Sequence, residues 1–321
     1  MKAATARSYG PPEGMRIESL PDPFPGQGEV LVAVQAFGVT RGDTRIRGLD
    51  VPRGMGLILR LVFGVTRLRR IVPGREFAGV IAGLGAGVTG WRVGQKVIGL
   101  TPGMTLGAGA EALVMKPGET LFARPEGMSA AEGAAVFFGG LTAADFLIDQ
   151  AALKPGERVL INGASGAVGV AMVQLARHLG AQVTAVCSAQ NHDFVRDLGA
   201  DAVHDYRDGP PAGRFDVIAD VAGTLPWGAA SGLLTPGGRR CLITADLCGM
   251  LGASLRPKRG THRLCASVVK ETGAAMARVL ELTAKGVLRA PITTLPFDAI
   301  VEAHRLASGG HKRGNVVVVF D

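Results

Sequence analysis

The sequence predicts an α/β protein of two domains, in which an all-β domain accompanies a doubly wound parallel sheet. A chain of 321 residues is longer than one typical domain. Its first third contains short β-type runs separated by glycine and proline, whereas strands alternate with helices from Ser129 onward. Because 47% of the residues are hydrophobic and only 19% are charged, enough apolar surface is available for a sizeable core.

The predicted β domain contains four short strands, at residues 30–36, 77–82, 96–100 and 112–115. Turn-forming residues separate them, as is typical of an all-β unit. Between the first two strands, residues 57–71 are apolar with interspersed arginines. This segment is predicted to be a helix beside a cleft.

The alternating pattern begins with a helical stretch. Ser129 and Glu132 have the spacing of a capping box, which predicts a helix start. A strand at 158–162, a helix at 168–179 and a strand at 182–187 then form one βαβ unit. Further helices are predicted at 193–198, 227–234, 272–285 and 299–307, and further strands at 202–204, 215–220, 239–244 and 315–320.

The final strand is expected to return to the first domain. A linker through Pro291 and Pro296 precedes it. We therefore assign residues 1–124 and 290–321 to the β domain, and residues 125–289 to the doubly wound domain.

A glycine-rich turn separates the strand at 158–162 from the next helix. Over residues 162–169 it has the sequence NGASGAVG, so the dinucleotide fingerprint GxGxxG appears with alanine replacing its first glycine. Small residues let the backbone approach a pyrophosphate, and the helix N-terminus presents free N–H groups to it. A tight turn with close helix packing would give the same pattern, but the complete βαβ unit favours a dinucleotide site. Its predicted residues are Ala164, Ser165, Gly166, Ala167, Val168 and Gly169.

The residues that follow the strand at 182–187 bear on the choice between NAD and NADP. An acid there would bind the ribose 2′-hydroxyl and repel a 2′-phosphate. Residues 187–192 contain no acid, and Ser188 and Asn191 can donate hydrogen bonds to a phosphate. Tyr206 and Arg207, after the next strand, can add more. The sequence favours NADPH, although residues 188–192 contain neither Lys nor Arg.

Over nearly its full length the chain resembles the medium-chain dehydrogenase/reductase superfamily, and within it the quinone oxidoreductase-like group. Among the motifs that carry the resemblance are PGREFAGVIAGLGAGVTGWRVGQKVIG, GGLTAADFL, LKPGERVLINGASGAVGVAMVQLA and HKRGNVVVV. The resemblance implies a GroES-like domain built from both chain ends and a Rossmann domain between them. A cofactor cleft is expected where the two domains meet.

The resemblance also implies roles for single residues. Thr142 matches the position whose hydroxyl and backbone face the nicotinamide. Asp43 matches an acid near the cleft, or it braces a turn. Thr40 keeps a hydroxyl donor where most quinone-reductase relatives carry Asn. We assign Thr40, Asp43 and Thr142 to catalysis, and Thr142 and Ala222 to the cofactor site.

Departures from the zinc-dependent relatives predict that this chain binds no zinc. Those relatives place a Cys in the segment aligned with residues 38–43, a His-Glu pair where this chain has Arg75 and Glu76, and four cysteines near residues 101–111. None of these Cys or His ligands is present in the sequence, and a zinc site needs three or four ligands. Without a Lewis acid, ordinary alcohol oxidation is disfavoured.

The expected activity is hydride transfer from NADPH to a quinone or an α,β-unsaturated carbonyl compound without zinc. Two alternatives stay open. One is zinc-free alcohol or carbonyl chemistry on the same scaffold. The other is a non-enzymatic NADPH-binding protein that docks on a membrane or on RNA through the basic segment 57–71.

Composition constrains the partners and the compartment. The net charge of +8 suits an anionic partner, but the arginines are scattered and only 5% of residues are aromatic, so we expect no nucleic-acid binding.

Cys187, Cys241, Cys248 and Cys265 lack CxxC spacing and are interpreted as core residues in a reducing compartment. The sequence shows no secretory signal and no apolar run of about 20 residues. We expect a cytoplasmic homodimer without stable membrane insertion.

Overall fold

The computed structural model of the chain describes residues 1–51, 54–69, 71–102, 105–244, 253, 255, 258–259, 261–310 and 312–320. The strands, numbered along the chain, are β1 Lys2–Thr5, β2 Arg16–Ser19, β3 Val30–Val39, β4 Glu76–Leu84, β5 Lys96–Leu100, β6 Ala112–Met115, β7 Leu121–Ala123, β8 Arg158–Asn162, β9 Gln182–Cys187, β10 Ala202–Asp205, β11 Phe215–Asp220, β12 Leu234–Leu242, β13 Lys258–Arg259, β14 His262–Cys265, β15 Ile292–Pro296 and β16 Asn315–Val319. The α-helices of the described residues are α1 Arg41–Gly48, α2 Met55–Phe63, α3 Ala130–Gly133, α4 Phe137–Ala144, α5 Ala167–His178, α6 His192–Asp197, α7 Trp227–Leu233, α8 Gly273–Ala284 and α9 Ile300–Ser308.

The first sheet combines strands from both ends of the chain. Its order is β15-β16-β3-β4-β5-β7, and β6 also pairs with β3. Alternate side chains of β3, such as Val30, Val32 and Val34, are buried in its core. Strand β16 runs antiparallel to β3, so the final strand joins this sheet as predicted.

The predicted linker before the final strand is wrong, because residues 292–296 form strand β15, parallel to β16. The two prolines do not prevent this pairing. Pro291 precedes the strand and Pro296 ends it, which are positions where a missing N–H costs no interior ladder hydrogen bond.

The second sheet is doubly wound. Its order is β10-β9-β8-β11-β12-β14-β13, and all neighbours run parallel except β13 and β14. The chain passes from β8 to β9 on one side and later places β11 on the other side of β8. Strand order therefore reverses beside β8, where such sheets bind ligands at the carboxyl ends of their strands. The predicted fold class is confirmed.

Helix α4 packs closely between α5 and α8. A Cβ added to Gly139 would lie 2.6 Å from the Ala167 carbonyl oxygen, and one added to Gly140 would lie 2.6 Å from Val279 Cγ1. A π-helical segment, Asp145–Gln150, continues α4. Residues 130–150 are long and apolar enough to span a membrane by composition, but 78% of their most apolar window is buried inside the protein. This burial fits a core helix.

Three expectations about local structure are resolved. The capping box of Ser129 and Glu132 is present at the start of α3. Strand β12 begins at Leu234, five residues before the predicted start, since it pairs with β11 across an irregularity. Cysteines 187, 241 and 265 are buried and unbridged as expected, and Cys248 lies outside the described residues.

The helix predicted over residues 57–71 is confirmed only as far as Phe63. Gly64 follows with φ of +123°, and a Cβ there would lie 1.9 Å from the Arg67 carbonyl oxygen, so the chain turns away. Helix α2 lies beside a cleft as predicted, because Met55, Leu59 and Phe63 line the cavity described below.

Candidate active site

The glycine turn after β8 is tightly packed beneath helix α5. Gly163 has φ of +90°, and a Cβ on it would lie 3.1 Å from the Ala222 amide nitrogen. A Cβ on Gly169 would lie 2.2 Å from the Gly163 carbonyl oxygen. These two positions therefore require glycine, and Ala222 adjoins the turn; its assignment to the cofactor site stays a prediction.

Gly166 differs from these packed glycines because it faces open space. It is the N-cap of the 12-residue helix α5, and the nearest atom to an added Cβ is the Gly163 carbonyl oxygen, 3.8 Å away. The first N–H groups of a helix have no intrahelical acceptor and carry a partial positive charge. This cradle could hold a pyrophosphate at residues 165–167. The side chains of Ala164, Ser165, Ala167 and Val168 around it are all buried.

The C-terminal tail reaches this turn. The Gly314 amide donates to the Ser165 carbonyl oxygen at 2.8 Å, and residues 166 and 314 form a parallel bridge. The tail therefore closes one side of the cradle. His311, which the sequence placed in this tail, lies outside the described residues.

The segment after β9 is held by an arginine that the sequence prediction missed. Arg313 Nε donates to Asn191 Oδ1 at 2.7 Å, and its Nη2 donates to the Gln190 carbonyl oxygen at 2.5 Å. Asn191 Nδ2 donates to Ser188 Oγ at 3.1 Å, and only 2% of Asn191 is exposed. Ser188 is partly exposed in this segment, whereas the amide nitrogen and the amide oxygen of Asn191 both form hydrogen bonds with neighbouring residues. The predicted direct contact of Asn191 with a phosphate stays a prediction, and Arg313 adds a cation to the same segment.

Tyr206 and Arg207 follow β10 at the edge of the same region. Tyr206 is 49% exposed, and Arg207 forms a bidentate ion pair with Asp205 at 2.9 and 2.5 Å. Asp205 also accepts the Ala189 amide, so an acid from β10 lies against the segment after β9. The hydrogen bonds from Arg207 hold the pKa of Asp205 well below its usual value. Its negative charge is therefore balanced by Arg207.

A cavity of about 360 Å³ lies between the two domains. All three predicted catalytic residues, Thr40, Asp43 and Thr142, line it, so the structure brings them together. Its other polar lining residues include Arg45, Arg75, Glu76, Thr244 and Glu271, and its apolar walls include Ile46, Met55, Leu59, Phe63, Leu141 and Val269. A cavity of this size, with a few polar groups on apolar walls, is typical of a small-molecule site.

Thr40 and Asp43 form a capping box at the start of α1. The Thr40 amide and hydroxyl donate to Asp43 Oδ2 at 2.8 and 2.7 Å, and the Gly74 amide donates to Oδ1 at 2.9 Å. The carboxylate of Asp43 is therefore engaged by three protein donors, which fits the interpretation that it braces a turn. Thr40 must give up its bond to Asp43 before its hydroxyl can donate to a substrate.

Thr142 lies in the second turn of α4 and is 7% exposed. Its hydroxyl donates to the Phe138 carbonyl oxygen at 2.8 Å, one turn earlier. No described residue donates to this oxygen, so it can still accept a hydrogen bond from an amide.

Glu76 anchors the start of α4 from below the cavity. Its carboxylate accepts the Phe137 amide at 2.5 Å and the Phe138 amide at 3.2 Å. Burial raises the pKa of Glu76 to about 7, and the nearby Asp43 adds to the rise, although the two amide bonds oppose it. Glu76 therefore fixes the helix that carries Thr142.

An ion pair joins the two domains across the cavity. Arg75 Nη1 and Nη2 donate to the two carboxylate oxygens of Glu271 at 2.9 and 2.6 Å, and Nη2 also donates to the Thr101 carbonyl oxygen at 3.0 Å. The family resemblance implies that Arg75 stands at the position of a His ligand in zinc-dependent relatives. In the part of the chain that the structure describes, no group of three His, Cys, Asp or Glu side chains is arranged to hold a metal ion.

Sequence reasoning missed Arg313, Glu271 and Arg45. Arg313 lies in the HKRGNVVVV motif before the final strand, so that motif was the available signal. Nothing local marks Glu271 as the partner of a residue 196 positions earlier. Arg45 follows Asp43 by two residues and carries no motif of its own.

Comparison with known proteins agrees with this architecture. A family model described as "Alcohol dehydrogenase GroES-like domain" matches residues 26–136, and one described as "Zinc-binding dehydrogenase" matches residues 198–318. The chain is 34% identical over 241 residues to a chloroplastic quinone-oxidoreductase homolog of Spinacia oleracea, covering 71% of this chain and 70% of that protein. It is 29% identical to the chloroplastic quinone-oxidoreductase QR1 of Triphysaria versicolor, over 99% of this chain and 98% of that one.

A solved structure adds to these similarities. The quinone oxidoreductase of Coxiella burnetii superposes with a TM-score of 0.86 at 25% identity, covering 99% of both chains. Together with the two chain-end strands in one sheet, the doubly wound sheet and the glycine turn, these matches identify the family. The chain belongs to the medium-chain dehydrogenase/reductase superfamily, in its quinone oxidoreductase-like group.

Proposed function

We propose that the chain is an NADPH-dependent reductase of quinones or α,β-unsaturated carbonyl compounds that acts without zinc. The observation that carries the proposal is the composition of the interdomain cavity. It joins Thr142 to apolar walls and to the Arg75–Glu271 pair. The family resemblance places Arg75 where zinc-dependent relatives carry a His ligand. The relatives named as quinone oxidoreductases, and the nicotinamide cofactors that this superfamily binds, support the same assignment.

The preference for NADPH rests on charge at the segment after β9. This segment has no acid of its own, and Arg313 and Arg207 flank it. Ser188 supplies a hydroxyl there. A 2′-phosphate would add negative charge beside the guanidinium of Arg313, whereas Arg207 and Asp205 already balance each other in an ion pair.

The chain's own residues hold and orient the reactants. When bound, NADPH supplies a hydride and leaves as NADP⁺. The cradle at Gly166 would hold the pyrophosphate, and Thr142 Oγ1 would accept a hydrogen bond from the carboxamide. Reduction of an activated double bond also consumes one proton, which water supplies. The apolar walls seat the flat substrate and keep other water away from it.

The proposal is tested by measuring NADPH consumption with a quinone such as menadione, an enone and a simple ketone, each with and without a chelator. We expect turnover of the quinone or the enone, little turnover of the ketone, and no effect of chelation. Turnover of the ketone alone would favour the carbonyl-reductase alternative. Stoichiometric zinc by elemental analysis, with reversible loss of activity on chelation, would refute the zinc-free mechanism.

A further inference from the structure

Arg45 lines the cavity from helix α1. Gly42, Arg45 and Ile46 are spaced i, i+3 and i+4, so they share the helix face that borders the cavity. The helix directs the Cα–Cβ bond of Arg45 toward this face. Arg45 therefore places a positive charge at a wall that is otherwise largely apolar.

This charge has no partner among the described residues. Arg45 forms no hydrogen bond or ion pair there, and its Nε is buried without an acceptor. The surrounding carboxylates are each engaged by another donor: Asp43 by Thr40 and Gly74, Asp50 by Arg41, Glu271 by Arg75, and Glu76 by the amides of Phe137 and Phe138.

An unpaired guanidinium in this position is costly. Burial lowers the pKa of Arg45 and the nearby Arg41 lowers it further, while Asp50 opposes the change. Arginine nevertheless stays charged in proteins. A charge that is partly removed from water and has no counter-ion gains most from an anion that enters the same low-dielectric cavity.

We propose that Arg45 binds an anionic group of the substrate, so that the preferred substrates are quinones or enones that also carry a carboxylate. This inference rests on the proposed function and adds the substrate class to it. The planar fork of a guanidinium matches a carboxylate with two parallel hydrogen bonds. The carboxylate takes no part in the bond changes, and it anchors the substrate while the double bond accepts a hydride and a proton.

The test compares 3-benzoylacrylate, an enone with a carboxylate, with its methyl ester. In the unmodified enzyme we expect a KM for the acid at least about tenfold below that for the ester. Arg45→Met keeps most of the apolar stem and should raise the KM of the acid about ten- to a hundredfold, leaving kcat/KM for the ester within about twofold. Arg45→Lys should retain part of the preference. Arg196→Met, which removes an exposed arginine paired with Asp193 on α6, is the matched control for net charge.

A binding measurement separates this inference from the proposed function. Calorimetry with the saturated analogue 3-benzoylpropionate, with and without NADP⁺, reports on Arg45 even if no substrate is reduced. Binding that is lost in Arg45→Met and kept in Arg196→Met supports the anion site, and failure of NADPH turnover alone counts only against the proposed function. Equal KM values for acid and ester, analogue binding unaffected by Arg45→Met, or an equal fall in kcat for both substrates at unchanged KM would each overturn the anion-anchoring role.

Discussion

Replacement of Gly166 by valine separates cofactor binding from folding. Gly166 has φ of −80° and ψ of 170°, an extended conformation that valine adopts readily. An added Cβ meets no atom nearer than 3.8 Å, so the side chain projects into open space before helix α5. Because valine is a poor N-cap, we expect a loss of about 1 kcal/mol in the free energy of unfolding. Its methyl groups would occupy the path of the pyrophosphate, so we expect the Kd for NADPH to rise at least about 100-fold.

Gly169→Ala is the matched control for packing. A Cβ at this position would lie 2.2 Å from the Gly163 carbonyl oxygen and 2.6 Å from Ala164 Cα, both of which are backbone atoms. The turn and helix α5 would have to separate, at a cost of about 1–3 kcal/mol or more in stability. The smaller of the two substitutions should therefore be the more destabilising one.

Both variants are measured by NADPH titration and by thermal unfolding with and without NADPH. At a ligand concentration 100 times the Kd, NADPH should stabilise the unmodified protein by about 2.7 kcal/mol. The same concentration should stabilise Gly166→Val by less than about 0.5 kcal/mol, although the variant remains folded. Wild-type NADPH affinity in folded Gly166→Val would refute the placement of the pyrophosphate.

Three further predictions concern cofactor choice, domain coupling and acid stability. Ser188→Asp should lower the ratio of NADPH to NADH affinity at least about tenfold, since its charge repels a 2′-phosphate; tighter NADH binding by the unmodified protein would contradict the assignment. The side chains of Arg75 and Glu271 are 25% and 29% exposed. A double-mutant cycle with Arg75→Met and Glu271→Gln, measured by urea unfolding, should therefore give a coupling energy of about 1 kcal/mol. Additive effects of the two substitutions would show that the pair is not formed. Burial and neighbouring Arg47 lower the pKa of His304 to about 3 from 6.5. At a pH between these two values, His304 is protonated only in the unfolded chain. The free energy of unfolding should therefore fall as the pH decreases below about 6.5, by about 2 kcal/mol at pH 5. His304→Gln should remove that part of the slope, and an unchanged slope would refute it.

Local sequence patterns predicted the features that neighbouring residues determine. The turn around Gly163 depends on small residues within eight positions of one another, and the capping box of Ser129 depends on a residue three positions away. The βαβ unit follows from the same kind of short-range alternation. The end of α2 was missed although its cause is local, because the close approach of Gly64 to the Arg67 carbonyl oxygen is visible only in three dimensions.

The remaining features depend on contacts between distant segments. Asn191 was expected to face a phosphate because it follows β9, but an arginine 122 positions later binds its amide oxygen. Arg75 was recognised as a missing zinc ligand, yet its pairing with Glu271 could not be predicted because nothing in either segment specifies the other. Such contacts arise only when β16 joins β3 and the two domains meet around the cavity.

These distant contacts show where positive charge is left uncompensated in a protein whose net charge is +8. Acids near both ends of the cleft are engaged by protein donors, including Asp205 by Arg207 and Glu271 by Arg75. Among the described residues, the positive groups left near the cleft include the N-terminus of α5, Arg313 beside the segment after β9, and Arg45 in the cavity. A cleft with low-dielectric walls concentrates such a field and attracts anions. An anionic dinucleotide and an anionic substrate would then be drawn to the same cleft, and the excess of positive charge has a use that does not require a nucleic acid.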